Sequence, residues 1–546
     1  MRIVSPQTQH GTGLNLAVGL NGPLMVRDVE VEGFAFGVRT GNAINSVTLE
    51  HVTVRNQGAA GWLNIQQVAS ARRFVSEQEN AIPALINGSN KGAAQHWFGT
   101  VTLLDCEFTT THPDGAPYAI EAVGNTIAHD ITINGYDNAA LAKRAGFLGG
   151  QETPIPLEGP GIVRWLKSYR VNNNTPFFET ALFSVPDPSP IGLEILETPD
   201  VPWDDPAEWV NLADFAAGDG VTDDTGAFQA AIDSMKPGGV NHGKTTLLVP
   251  HGSAFRIIGE VEISGPVRRI IGTKGRIRGE GVGRLRIVDS PDQDAPILRI
   301  ERLSGFASQF FLEHASSRTV AVVNTTGVRF IGAGAGDLFI EDIVGGFHHF
   351  QQSGQRIWAR QFNAENEGTK IVNDGAMLWM LGVKTEKFGT ILETRKDGVS
   401  ELYGGLVYRV DLTAADDAPM FVIDNARTFI TGVGEYDPTQ NQTRQYENIV
   451  RETRGADQMT AGKSFFPETG RHNGSTVVTH YRSETNALGD LNGDGSVGSA
   501  DLAILLGSWG PCPSVQRSCI ADLTGDGAVG SADLGILLGL WGSGSD

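Results

Sequence analysis

The chain has 546 residues, 69 of them glycine, with three cysteines and a formal net charge of −21. At roughly 100–200 residues per domain that length allows two to four units. The charge excludes a phosphate-backbone partner, because no basic stripe offsets it, and a polyanionic ligand would need a local basic cleft set against the whole. No apolar run reaches the length of a membrane span.

Met1 and Arg2 lead into polar sequence with no apolar signal-peptide core. Leu14–Val18 already reads as the middle of a strand stack, so the expectation is a start upstream of Met1, with a signal peptide and further rungs there. LMVRDVEVEGF (24–34) and VTLEHVTVRNQ (47–57) repeat at a spacing of 23, and VTLLDCEFTTT (101–111) has the same shape. Short strands at a fixed period of about 20–50 residues are the mark of a solenoid, whose rungs bury their apolar faces only by stacking. Residues 1–182 are assigned to a first lobe, with Cys106 a buried free thiol.

The 183–207 stretch is too rich in proline for a central strand and reads as a crossover between lobes. A second lobe is placed at 208–435. It opens on WVNLADFAAGDGVTDDTGAFQAAIDS (209–234), where Thr222, Asp223, Asp224 and Thr225 are N-cap candidates for a helix presenting Phe228, Ala231 and Ile232. DLFIEDIVGG (337–346), RIWARQFNAE (356–365), MLWMLGVKTE (377–386) and ELYGGLVYRV (401–410) read as one strand on successive rungs. Trp358 and Trp379, Glu365 and Glu386, and Gly368-Thr369 and Gly389-Thr390 all repeat at 21. Residues 436–487 are read as cap and linker, with a short helix near 446–453.

Residues 488–546 contain a duplication. DLNGDGSVGSAD (490–501) and DLTGDGAVGSAD (522–533) each precede an apolar, helix-like run. A twelve-residue calcium loop needs oxygen donors at positions 1, 3, 5 and 12, a backbone carbonyl at 7 and glycine at 6. Asp490, Asn492, Asp494, Ser496 and Asp501 take the ligand positions in the first loop, and Asp522, Thr524, Asp526, Ala528 and Asp533 in the second. Thr524 is the poorer ligand, so the second Ca2+ site is expected to be weaker. Cys512 and Cys519 lie between the loops and are expected to pair. The duplicated loop and helix resemble the type I dockerin over 488–542. That likeness implies a cohesin-bearing scaffold or cell-surface partner, recognised near Ser499-Ala500 and Ser531-Ala532.

Val210, Asn211, Asp214, Phe215, Gly218, Asp219, Gly220, Thr222–Thr225, Gln229 and Ala231–Asp233 resemble the opening of the pectate lyase superfamily domain. The resemblance implies a right-handed parallel β-helix with an N-terminal helical cap, in which Asp223 and Asp224 cap the helix. Two tandem lobes joined by a proline-rich crossover resemble the family 55 glycoside hydrolases, in architecture only. The expected fold is therefore all-β: a right-handed parallel β-helix in two lobes, plus a small α-helical, calcium-binding dockerin-like domain.

If Ile357/Ala359 and Leu378/Met380 face inward, Trp358 and Trp379 face outward, flanked by Phe339 and Tyr403. Such a column stacks either on sugar rings or on the first lobe. With Arg360 it makes the expected substrate-binding set. Glu365 and Glu386 would stack about 5 Å apart, raising one pKa as a general acid requires. Retaining glycosidases space their carboxyls at about that distance and inverting enzymes more widely. The family 55 likeness implies inversion, so one of the two would pair with a more distant acid: Asp374, Glu341 or Glu393. The competing reading is a ladder neutralised by Arg360, Lys370 and Lys384. The resulting expectation is an extracellular or surface-tethered glycoside hydrolase acting on β-glucan. A pectate- or uronate-type lyase and a non-catalytic glycan-binding solenoid are the alternatives.

Overall fold

The computed structural model describes every residue except 7–8, 20–21, 43, 89–98, 144–151, 157–161, 167, 170–175, 178–189, 291–293, 306–308, 410–417, 437–444, 455–456, 467–476, 479, 484–488, 492–495, 512–520, 525–527 and 543–546. The chain is mostly β, and its long sheets are parallel. In the first part, Leu24–Glu32 pairs with Ser46–Arg55 in the register Leu24↔Val47, the 23-residue spacing seen in the sequence. Val68–Arg72, Thr100–Leu104 and Asn125–Asn134 continue that ladder. A second sheet runs from Thr12–Asn15 through Phe36–Thr40 and Ala60–Ile65. Val47, Leu49, Val52 and Val54 point between the sheets into one core, and Cys106 is buried there as a free thiol.

In the second part a sheet of 21 strands runs from Val210–Asn211 to Tyr481–Ser483. From residue 338 on, two ladders alternate. Long strands Leu338–Gly345, Arg356–Ala364, Met377–Glu386, Val399–Tyr408 and Arg427–Tyr436 pair with one another. Short strands His348–Phe350, Ile371–Asp374, Leu392–Arg395 and Phe421–Asp424 pair beside them. Ile357, Ala359, Leu378 and Met380 lie in the enclosed core, as their alternation predicts.

Helix α1 (Thr225–Met235) covers the first rungs and buries Phe228, Ala231 and Ile232. Asp223 accepts from the Thr225 amide at 3.1 Å, and Asp224 from the Ala217 amide at 2.8 Å, so both acids organise the helix entry. The helix expected near 446–453 is instead the strand Asn448–Arg454, paired with Phe421–Asp424 on one side and antiparallel to Asp457–Gly462 on the other. Unpaired backbone at the end of a coil outweighs local propensity.

The 190–205 segment forms no strand and lies against the second part's outer face. With no neighbouring strand to donate to them, its carbonyls accept from side chains. Trp358 Nε1 donates to Glu194 O (2.7 Å), Arg360 Nη2 to Leu196 O (2.7 Å), and Arg269 Nη2 to Val201 O (2.6 Å).

In the tail, α2 (Ser499–Gly507) and α3 (Ser531–Gly539) pack around Leu491, Val497, Leu505, Ala521, Val529 and Leu537. Cys512 and Cys519 lie outside the described residues.

Candidate functional site

The outward face of the long strands carries Phe339, Trp358, Trp379, Leu381, Tyr403 and Phe429. Trp358 and Trp379 are register partners, as their spacing predicts. Trp379 is nevertheless in line with Glu401, while Tyr403 pairs with Leu381 two residues further along. The column is sealed: Trp358 and Trp379 are 2% and 1% exposed, beneath Leu104 of the first part and Ile191, Leu193, Ile195 and Leu196 of the crossing segment. Beside the two indoles only a cleft of about 140 Å³ remains, below the roughly 300 Å³ at which ligand pockets begin. Phe339, Trp358, Trp379 and Tyr403 are therefore interlobe packing, and the expected sugar platform is corrected on this point.

Arg360 is fully buried and bonds Glu50, with Nε 2.8 Å from Oε2. Arg72 holds the same carboxylate at 2.7 Å. Glu197 meets Arg27 at 3.1 Å, Arg72 at 2.8 Å and Arg73 at 3.0 Å, and Glu341 bonds Arg27. Burial works to raise the Glu197 carboxyl, but its bonds to His51 and Arg72 outweigh burial and hold it far below the usual range. Glu50, His51 and Glu197 cluster closely enough to suggest a metal site. The guanidinium groups already occupy their oxygens, which makes this an ion-pair junction binding the two lobes and the crossing segment. Arg360 and Glu341 thus lose their expected substrate and catalytic places.

Glu365 and Glu386 do come together, joined by Lys384, whose Nζ lies 2.8 Å from Glu365 Oε1 and also bonds Glu386. Burial pushes the Glu365 carboxyl up, but the Lys384 charge and hydrogen bond, with Asn363, bring it below its ordinary value. Glu365 is therefore not the expected protonated acid, because the lysine offsets the repulsion that would create it. Lys370 points elsewhere, donating to Phe388 O at 2.8 Å. Asp374 bonds Arg395, His349 (3.0 Å) and Lys396 (3.0 Å), and Arg395 also holds Glu393 at 3.0 Å. These ties outweigh the upward pull of burial on Asp374 and leave it ionised.

A different acid stands out. From Arg302 to Gly432, successive rungs carry a left-handed residue at the same corner: Arg302, Asn324, Asp342, Gln361, Gly382, Gly404 and Gly432. Asn324 and Asp342 are skipped between the paired positions Val323↔Glu341 and Thr325↔Ile343, so they are neighbours on adjacent rungs. Asp342 is half-buried, and among the described residues no cation or hydrogen-bond donor reaches it. Burial, aided by the Glu341 charge, pushes its carboxyl up to about 6. On one side of Asp342, Gln361 bonds Ser46 (3.0 Å) and Thr48 (2.9 Å) of the first lobe. On the other side an open groove of about 860 Å³ runs past Asn324, Thr326, Arg302, Arg276, Lys274 and His251. The sequence signal for Asp342 is weak, a small polar residue one step past the Glu341 of each reading, and it becomes visible only once the rungs are in register.

In the tail, the Asp501 carboxylate accepts the Leu491 and Gly498 amides, each at 2.7 Å. Asp533 repeats this with the Thr524 (2.9 Å) and Gly530 (2.7 Å) amides, the Gly530 bond leading the contacts that keep it ionised. Both carboxylates thus tie the loop backbone to the first turns of α2 and α3. Thr524 Oγ1 bridges Asp522 (3.2 Å) and Asp533 (3.0 Å). Asn492, Asp494 and Asp526 lie outside the described residues, while Asp490, Ser496 and Ala528 stand at the loop positions described. Leu506, Trp509, Leu538 and Trp541 are about half exposed, in two pairs offset by the 32-residue duplication.

No protein-family model matches the chain, and no curated protein does. Among solved structures, sacteLam55A from Streptomyces sp. SirexAA-E is similar over 83% of this chain and 90% of its own, at 11% identity and a TM-score of 0.28. ORF18 of Geobacillus virus E2 is similar over 42% of this chain, at 14% identity and a TM-score of 0.22, and the chain spans 62% of that protein's length. At such scores the functional argument rests on the residues.

Proposed function

We propose that the chain is an extracellular polysaccharide-degrading glycoside hydrolase, built on right-handed β-helix lobes and tethered by a dockerin-like tail. The observation that carries the hydrolase reading is Asp342: a carboxyl without a counter-ion among the described residues, one rung from Asn324 of an open polar groove, raised toward the neutral range as a general acid needs. Asp490, Asn492, Asp494, Ser496 and Asp501, with Asp522, Thr524, Asp526, Ala528 and Asp533, would hold two Ca2+ ions that order the tail. The paired exposed Leu506/Trp509 and Leu538/Trp541 faces, with Ser499-Ala500 and Ser531-Ala532, would meet a cohesin-type partner. Release of reducing ends from β-glucan by the wild type, lost in Asp342→Asn with the fold retained by circular dichroism, supports the assignment. Undiminished turnover in that variant refutes it and returns the question to Glu365→Gln and Glu386→Gln. An unsaturated product absorbing in the ultraviolet would mark a lyase, and binding without product a non-catalytic solenoid.

A further inference from the structure

We infer that the open groove binds an acidic polysaccharide strand, with Lys274, Arg276 and Arg302 engaging its carboxylate or sulfate groups. The inference needs neither cleavage nor the tail. It stands on three observations. First, among the described residues the groove is lined by three full cations and His251 and by no aspartate or glutamate, in a chain whose net charge is −21. Second, all three cations are exposed, and among the described residues none has an acidic partner. Neighbouring arginines are consumed in pairs: Arg256 with Glu280 (2.6 Å), Arg284 with Glu313 (2.7 Å) and Arg299 with Glu301 (3.2 Å). Unpaired, mutually repelling cations along one groove are a cost to the free protein that a bound anion relieves.

Third, the cations sit on stacked turns. Arg276 lies in register between Ala254 and Ser304. Arg302 follows Glu301, which pairs with Ile271 on the rung behind and Val323 on the rung ahead. Lys274 and Arg276 thus lie on one turn and Arg302 on the next, about 4.8 Å along the stack, so a strand crossing the rungs meets cations from both turns. Ser304, Asn324 and Thr326 add hydroxyl and amide groups for sugar hydroxyls. Among the described residues no aromatic side chain lines the groove, and oligo(dT) tests whether a nucleic acid strand binds there instead.

The test is binding of the full chain to polygalacturonate and to dextran sulfate, with laminarin and oligo(dT) as comparisons, at about 50 mM and about 200 mM salt. One or both acidic glycans bind, and which one names the charged group. Affinity falls with salt. Lys274→Ala/Arg276→Ala weakens binding about tenfold, equivalent to about 1.4 kcal/mol. Arg302→Asn acts in the same direction and suits its φ of 59°. Protection of 251–326 amides from hydrogen exchange on binding provides a readout in the wild type, should a variant fold poorly. Release of reducing ends from β-glucan and binding of the acidic glycans are read separately on the wild type, so failure of the hydrolase reading and failure of this one are distinguishable. Equal affinity for laminarin or oligo(dT), or unchanged binding in the double variant, overturns the inference.

Discussion

Replacing Gly404 by alanine tests how closely the two lobes are fitted. Thr48, Ser70 and Thr102 form a hydroxyl ladder on three rungs of the first lobe. Their oxygens press against Gly382, Gly404 and Gly432, where any Cβ would lie deep inside contact distance. At Gly404 the added methyl overlaps Ser70 Oγ and lies 3.0 Å from Ser70 Cβ, on a backbone with φ of 74°. The left-handed conformation costs a residue with a side chain about 1–2 kcal/mol, and overpacking about 1–3 kcal/mol more. Gly404→Ala should thus lose about 2–5 kcal/mol. Gly354 isolates the backbone part, having φ of 72° and nothing within 4 Å of a Cβ. Ser70→Gly in the Gly404→Ala background should recover the packing part, a coupling of about 1–3 kcal/mol in a double-mutant cycle. Denaturant midpoints give the totals, and hydrogen exchange at Val68–Arg72 locates them. A loss at Gly404 no larger than at Gly354, or no recovery on removing the serine side chain, would refute the fit of hydroxyl into glycine.

Other substitutions probe separate parts. Asp342→Asn should lower hydrolysis by about 10²–10⁴-fold, and wild-type activity should decline as pH rises through about 6. The raised folded value also means that stability from Asp342 is complete below its ordinary 3.8 and lost as pH rises through about 6, a slope that thermal melts of D342N should lack. Calcium should increase helical circular dichroism with two ions per chain, one in Asp533→Ala, and Thr524→Asn should tighten the second site. Glu401 accepts the Gly192 and Leu193 amides at 2.6 and 3.3 Å, and burial raises its carboxyl despite them. Glu401→Ala strands those amides at about 1–3 kcal/mol, and limited proteolysis should then cut near 190–200 faster than in the wild type.

Periodicity made the inward residues legible. The 23- and 21-residue spacings became registers, and Ile357, Ala359, Leu378 and Met380 face the core because alternation along a strand is local. What covers the outward face is not local. Trp358 and Trp379 have the same sequence signature whether a sugar or another lobe lies above them, and only the placement of Leu104, Ile191 and Leu193 decides it. The acids failed for a related reason. Glu365 and Glu386 repeat as a catalytic pair would, yet Lys384, two residues from Glu386, binds both. Asp342 escaped notice because its merit is a missing partner, a property of three dimensions.

The location of the groove follows from how the lobes meet. Leu24–Glu32 lies against the strands beginning at Leu338 and Arg356, Ser46–Arg55 against those at Arg356 and Met377, and Val68–Arg72 against those at Met377 and Val399. The lobes advance together, rung for rung, so one continuous face of the second lobe is spent on docking from Leu338 onward. The same face on earlier rungs continues as Arg299 and Arg269, which donate to Pro199 O and Val201 O of the crossing segment rather than meeting the first lobe. At the corner of the rungs, Gln361, Gly382 and Gly404, which meet Ser46, Thr48 and Ser70 of the first lobe, give way on earlier rungs to Asp342, Asn324 and Arg302, the last two lining the groove. Asp342 stands at that boundary, desolvated from the docked side and approached from the open one. A carboxyl deep in the seam would be caught by an arginine, as Glu50 is, and one in open water would keep its ordinary pKa. The junction between the two regimes is the place on this face where an acid can be both protonated near neutral pH and within reach of a bound glycan.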